Sequence, residues 1–342
     1  MIFLFARADG NKHSKQKLIS LLGLLKVIVF LSILIFQNIF ANDLESIVKI
    51  LNDTKINVVA PGSGLSKKDL AKLKNSNLNL NFDDKCCNSS SFFHSADDEL
   101  RFKCLKRAIY DKEVEVIWSL RGGYGSSKLI QKLMKLPPPK EQKIFIGYSD
   151  ITAVHLFLNQ KWGWKTIHGP CLYELLINQK DVSSILKLAN FIKYRKKAIT
   201  IQNIISMNDM ARDNNGISGV LVGGNLTTIT TTLGTDWSIK TQGKIFFLED
   251  TNVKPYQIDR LLNHLNQAKV CQNVKAIIFG NFNQDDKSTL GVLQRFANEV
   301  KTPVFKTNKF GHGKFNDPII CNSASMISPS KKKGYFNLIM NW

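Results

Sequence analysis

The stretch Ile144-Phe145-Ile146-Gly147-Tyr148-Ser149-Asp150-Ile151-Thr152-Ala153 decides how this chain is read. It opens on an uninterrupted apolar run, the mark of a short buried strand, and from Ile151 to Asn159 the apolar residues recur with helical spacing. Strand, tight turn and helix in that order present the Ser149 hydroxyl at the top of a sheet. They also aim helix-start N–H groups at whatever that oxygen attacks. The spacing is not G-x-S-x-G, since Asp150 and Ile151 follow the serine. A serine ahead of a helix is, taken alone, more often an N-cap than a nucleophile.

The same alternation runs outward from this stretch. Ile56-Asn57-Val58-Val59-Ala60 is a β-branched run closed by Pro61-Gly62-Ser63-Gly64, and Lys67 to Leu73 follow with helical spacing. Asp97 to Tyr110 reads as a helix, Val114 to Leu120 as a strand, Arg121-Gly122-Gly123-Tyr124-Gly125 as a glycine turn and Ser126 to Met134 as a helix. Such alternation implies a mostly parallel sheet flanked by helices, with ligands bound at the carboxyl ends of the strands. From about Lys196 the rhythm changes to short strands at Ala198–Ile201, Gly216–Val222, Lys244–Leu248 and Lys275–Phe279, with one helix pattern from Pro255 to Gln267. The fold class is α/β. The expected layout is an N-terminal α/β domain over 42–192, a basic linker over 193–199 and a smaller β-rich C-terminal domain over 200–342.

At 342 residues and 44% hydrophobic content the chain can bury a core of about two domains, which excludes a disordered tail or a disulfide-stapled miniprotein. The net charge of +20 invites a nucleic-acid reading. The surplus is scattered Lys, its densest cluster is Lys331-Lys332-Lys333, and no helix-turn-helix, zinc or aromatic-platform pattern accompanies it, so no nucleic-acid partner is expected. Residues Leu18 to Phe36 carry Lys26 as their one charge and are preceded by Arg7, Lys12, Lys15 and Lys17. Residues 1–41 therefore read as a signal peptide or membrane anchor, and the chain as exported, periplasmic or anchored in the inner membrane. Ile39 fits a cleavage site at Ala41 poorly. The segment holds four of the net charges, leaving +16 on the remainder.

Six cysteines remain, Cys86, Cys87, Cys104, Cys171, Cys271 and Cys321. In an exported chain they could pair, and Cys86 or Cys87 with Cys104 lies closest in sequence. With no CxxC or HExxH, neither a metal nor a cofactor is expected.

A serine nucleophile needs a base, and the base an orienting acid. Among the histidines, His13 falls in the export segment, His155 inside the helix after Ser149 and His264 on an amphipathic helix. His312, in Gly311-His312-Gly313, sits in a loop of the kind active sites use, with His168 the runner-up. Glu249 and Asp250 end the apolar strand Ile245-Phe246-Phe247-Leu248, where a carboxylate needs a partner: an imidazole, or Arg260 or Lys254 in an ion pair. Gly122-Gly123 directly after a strand suits a backbone oxyanion donor, whereas Gly223-Gly224-Asn225 could be a turn into the helix-like Leu226–Leu233.

Taken together, the motifs Arg121-Gly122-Gly123-Tyr124-Gly125, Gly147-Tyr148-Ser149-Asp150-Ile151-Thr152-Ala153, His168-Gly169-Pro170, Gly223-Gly224-Asn225-Leu226, Phe247-Leu248-Glu249-Asp250, Ile258-Asp259-Arg260 and Phe310-Gly311-His312-Gly313 resemble, in order and spacing, the LD-carboxypeptidases. These are the murein tetrapeptide carboxypeptidases and the related microcin C self-immunity peptidases. The resemblance spans about residues 55 to 330. It implies Ser149 as nucleophile, His312 as general base, Glu249 as its orienting acid, an oxyanion hole from the N–H groups of Gly123 and Asp150, and a homodimer. It also implies murein stem peptides as substrate, with loss of the terminal D-Ala. Phe82 to Phe93, with Cys86-Cys87 and Ser89-Ser90-Ser91, looks unlike the family. The rival readings are a peptidase or amidase acting on peptidyl-nucleotide antibiotics, and an exported muropeptide binder without catalysis, which would have no need of serine, histidine and acid together.

Overall fold

The computed structural model describes residues 45–89, 92–177, 180–194, 198–282 and 286–342. The export segment at 1–41, Arg195-Lys196-Lys197 of the expected linker and Ser90-Ser91 of the divergent segment lie outside the described residues. Among the described residues no helix is long and apolar enough to cross a membrane.

The apolar runs become strands as the alternation requires. Strands β1 (Ile56–Val59), β2 (Leu80–Asn81), β3 (Val116–Ser119), β4 (Ile144–Gly147) and β5 (Thr166–His168) lie parallel in the spatial order β2-β1-β3-β4-β5. Every residue of β1, β3, β4 and β5 is buried, which is why these segments show no polar alternation. Val116 and Trp118 of β3 point into one apolar cluster and Ile117 into the other, so successive side chains feed opposite faces of the sheet. Helices Asp98–Tyr110 and Thr152–Lys161 connect strands of this sheet. Asp97 starts the first by accepting the Leu100 N–H at 2.8 Å.

The second half forms a closed barrel from β6 (Ala198–Ser206), β7 (Ile217–Asn225), β8 (Ile245–Asp250), β9 (Ala276–Phe282), β10 (Val304–Gly311), β12 (Ser323–Pro329) and β13 (Tyr335–Asn341). Within it β7, β8, β9 and β10 run parallel, so their carboxyl ends gather at one rim. Ile245 and Phe247 join one apolar cluster with Ile201, Phe305 and Phe336, while Phe246 and Leu248 join another with Leu262 and Leu293 of the covering helices. Each such phenylalanine, fully withdrawn from water, contributes about 1.5–3 kcal/mol of transfer free energy.

Two features differ from the sequence reading. A second long helix, Lys287–Glu299, capped by Asp286, stands beside Pro255–Gln267. Gly291 within it and Thr289 and Val292 around it have poor helix propensity, so packing of Leu293, Phe296 and Ala297 against the barrel decides the helix. The other is β11 (Ile319–Cys321), which leaves the C-terminal half to pair antiparallel with β5 at the edge of the N-terminal sheet. The two halves are thus interlocked, and the sheet of the 42–192 segment is completed by residues from 200–342.

Candidate active site

Ser149 occupies the junction of β4 and a 3₁₀ turn, Ser149–Ile151, that leads into the helix Thr152–Lys161. Its φ is 64°, a left-handed conformation that costs a side-chain-bearing residue about 1–3 kcal/mol and concentrates at functional turns. The turn is held from below, because the Gly147 carbonyl accepts from the Gly169 N–H at 3.1 Å and from His155 Nε2 at 2.8 Å.

The turn Arg121–Gly125, at the carboxyl end of β3, lies against the serine. A Cβ on Gly122 would stand 2.9 Å from Ser149 Cβ and 3.1 Å from its Oγ, so only glycine lets this backbone approach. Asp150 clamps the two turns together: Oδ2 accepts the Ser126 N–H at 2.9 Å and Oδ1 the Gly125 N–H at 3.3 Å, while the Ser126 hydroxyl donates to the Asp150 carbonyl. Burial pushes the Asp150 carboxyl above its ordinary range against the opposing pull of these donors. Sequence reasoning assigned Asp150 a backbone role; the structure adds that its side chain sets the distance between the serine and the glycine turn.

Glu249 is the penultimate residue of β8 and has no exposed surface, and His312 follows β10. His312 Nδ1 and Glu249 Oε2 are 2.6 Å apart. Burial alone would lower the His312 pKa, but the charge and hydrogen bond of Glu249 outweigh it and hold the imidazole above its ordinary value. Burial likewise disfavours the charged Glu249, and His312 outweighs it, so the carboxyl stays below its ordinary value. A Cβ on Gly311, at φ 102°, would fall 2.9 Å from the Glu249 side chain, so glycine is required where the loop passes the acid. Of the partners weighed for this strand end, Glu249 takes the imidazole rather than Arg260 or Lys254. Asp250 binds Asn225 Nδ2 at 2.8 Å, the Thr227 N–H at 2.8 Å and its hydroxyl at 2.6 Å.

A network that sequence reasoning missed supports the histidine loop. Lys180 Nζ, nearly inaccessible, donates to the carbonyls of Gly313 at 2.9 Å and Gly311 at 3.4 Å, lies 3.5 Å from Glu174 Oε1 and sits over the Tyr148 ring. Tyr148 donates its hydroxyl to Glu174. The Thr152 hydroxyl accepts the Asn225 N–H at 3.0 Å, tying the helix after Ser149 to the end of β7. His168, the alternative base, is wholly buried with Nε2 3.8 Å from Glu249 Oε1, so it lies behind the acid rather than in the cleft. His264 is exposed on its helix.

Ser149, His312, Gly122, Gly123 and Asp150 line one cleft of about 880 Å³, walled by the carboxyl ends of both strand sets. Ser149 and His312 face this space without a hydrogen bond between them among the described residues. Arg121 from the sheet side and Arg260 from the helix Pro255–Gln267 line it as well, neither with an acidic partner among the described residues.

Residues 56–169 match the family model described as the LD-carboxypeptidase N-terminal domain, and residues 218–326 that of the LD-carboxypeptidase C-terminal domain. The chain belongs to the LD-carboxypeptidase family. A Rickettsia conorii protein that bears a carboxypeptidase name is 50% identical over 292 residues, 85% of this chain and 92% of its own length. The murein tetrapeptide carboxypeptidase of Pseudomonas aeruginosa is 25% identical over 230 residues, 64% of this chain and 74% of that one. The crystal structure of a muramoyltetrapeptide carboxypeptidase from Oxalobacter formigenes superposes with a TM-score of 0.67 at 21% identity, covering 84% and 98% of the two chains, which shows a shared fold. Both matched domains of this LD-carboxypeptidase family member contribute to the cleft, Ser149 from the first and His312, backed by the buried Glu249, from the second.

Proposed function

We propose that the chain is a serine LD-carboxypeptidase that releases the terminal D-Ala from murein stem tetrapeptides. The observation that carries this reading is that His312, paired with the buried Glu249, lines the same cleft as the left-handed Ser149. Ser149 Oγ attacks the carbonyl before D-Ala while His312 Nε2, the ring nitrogen opposite the Glu249 bond, takes the hydroxyl proton. Glu249 stabilises the imidazolium so formed, and the N–H groups of Gly123 and Asp150 receive the oxyanion. His312 then protonates the leaving amine, and water, deprotonated by the same imidazole, releases the acyl enzyme. Serine–histidine contacts of this kind commonly tighten only around substrate.

Arg121 and Arg260 are the accessible charges that suit the carboxylates of such a peptide. The Cys86–Cys104 disulfide, a bond that oxidising compartments sustain, supports export through residues 1–41. Mass spectrometry of murein tetrapeptide incubated with the protein tests the reading. Wild type should yield tripeptide and free D-Ala, and Ser149→Ala should yield neither while remaining folded. Full activity in that variant would refute it.

A further inference from the structure

The proposed triad is divided between two lobes, its serine on the sheet and its acid and base on the barrel, so something must hold the two in register. His168 is placed to do so. It is the last residue of β5, pairs with Gly147 of the serine strand on one side and with Ile319 of β11 on the other, and its ring enters the space behind Glu249. Three buried polar atoms there lack hydrogen-bond partners among the described residues: His168 Nδ1, His168 Nε2 and Glu249 Oε1. Nε2 and Oε1 face each other at 3.8 Å, about 1 Å beyond a hydrogen bond. Buried orphan atoms this close demand an explanation, since each costs its full desolvation penalty when unpaired.

Resting on the triad reading above, we propose that His168 is a positioning residue whose neutral Nε2–H is the donor for Glu249 Oε1, fixing the carboxylate for His312. The choice of tautomer follows from the surroundings. The ring is packed by Phe247 at 5.2 Å, Tyr148 at 5.8 Å and His155 at 6.3 Å between centroids, and its Nδ1 has no acceptor to serve among the described residues. A proton on Nδ1 would bury an unpaired donor and turn a lone pair toward a carboxylate. A proton on Nε2 leaves only a lone pair unserved. Burial lowers the His168 pKa to about 4 against the pull of Glu249, so the ring is neutral at pH 7. Of the other polar groups around the acid, His312 meets Oε2, the Asn225 amide donates to Asp250 and also helps hold Glu249 ionised, and Lys180 serves the Gly311 and Gly313 carbonyls and Glu174; none of them serves Oε1.

Two measurements on the full chain test this. Histidine-selective 15N NMR at pH 7, with His168 assigned through His168→Gln, should show Nε2 protonated and Nδ1 bare. A proton on Nδ1, or on both nitrogens, overturns the proposal whatever the substrate proves to be. On murein tetrapeptide, His168→Leu should lower kcat about 10- to 100-fold with little change in KM, the loss expected for one hydrogen bond to a charged group. His168→Gln, whose amide can donate from the same place, should restore kcat to within about 3-fold of wild type. Unchanged kcat in His168→Leu, or equal losses in both folded variants, also overturns it. If wild type releases no D-Ala, the functional reading fails and the NMR result alone decides the role of His168.

Discussion

Replacing Glu249 by Gln keeps the shape of the buried side chain and removes its charge, so it isolates what the carboxylate does for His312. In the proposed reaction the imidazole becomes a cation at each proton transfer, with Nδ1 held 2.6 Å from Oε2. The charges are spread over both groups, which places their centres about 4 Å apart; at an effective dielectric of about 20 their attraction is about 4 kcal/mol. At about 1.4 kcal/mol per factor of ten, this alone predicts a loss of about 10³ in kcat/KM. The Gln amide can also present a donor to Nδ1 and favour the wrong tautomer, which extends the expected range to about 10⁴. The pH profile should move too. Glu249 holds the His312 pKa up, so wild-type kcat/KM should climb on a limb above the ordinary imidazole value of about 6.5. In Glu249→Gln burial is unopposed by that charge, and the limb should fall below it. Release of D-Ala from murein tetrapeptide, followed from pH 5 to 9 for both proteins with thermal melts confirming folding, is the assay. A loss smaller than about tenfold, or a limb that stays in place, would refute the argument.

Gly122→Ala should reduce kcat by about 100-fold or more with modest loss of stability, because the new Cβ meets Ser149 within 3.1 Å of the nucleophilic oxygen; wild-type turnover in that variant would show the approach to be dispensable. Acidification should destabilise the fold. Burial lowers the pKa of His155 to about 3 and that of His168 to about 4, so between pH 6.5 and those values the unfolded chain binds protons that the folded chain refuses. At about 1.4 kcal/mol per pH unit, each histidine removes about 2 kcal/mol between pH 6.5 and 5, readable from urea unfolding at pH 7 and 5. His155→Gln should roughly halve that dependence, and an unchanged slope would contradict the assignment. Loss of the Cys86–Cys104 bridge, which closes a loop of sequence separation 18, should cost about 3 kcal/mol in unfolding free energy; the double Ser variant measures it, and a cost below about 1 kcal/mol would show that the loop is already constrained.

The parts legible in the sequence are those whose physics is local. Strands β1, β3, β4 and β8 read as apolar runs because every residue in them is buried, and Ser149 and Glu249 stand out because each interrupts or ends such a run. His312 shows through the glycines that let its loop pass Glu249. Lys180 and the Asp150 carboxylate were not legible, because their burial is compensated by groups distant in sequence: the Gly311 and Gly313 carbonyls for one, the Gly125 and Ser126 N–H groups for the other. Nothing local in Ile319-Ile320-Cys321 says which sheet it will join, since its ladder partner, the edge of β5, lies far away in the sequence.

That late strand bears on biosynthesis. A ribosome delivers the serine strand well before the residues that finish its sheet, with His312 and β11 adjoining in the chain. Until Ile319–Cys321 have emerged, β5 keeps an unsatisfied edge, a surface on which helper proteins that hold nascent chains could act. The same event that seals this edge brings the histidine loop down beside the serine. Under the proposed function, a chain clipped before residue 319 would therefore carry Ser149 with no seated base.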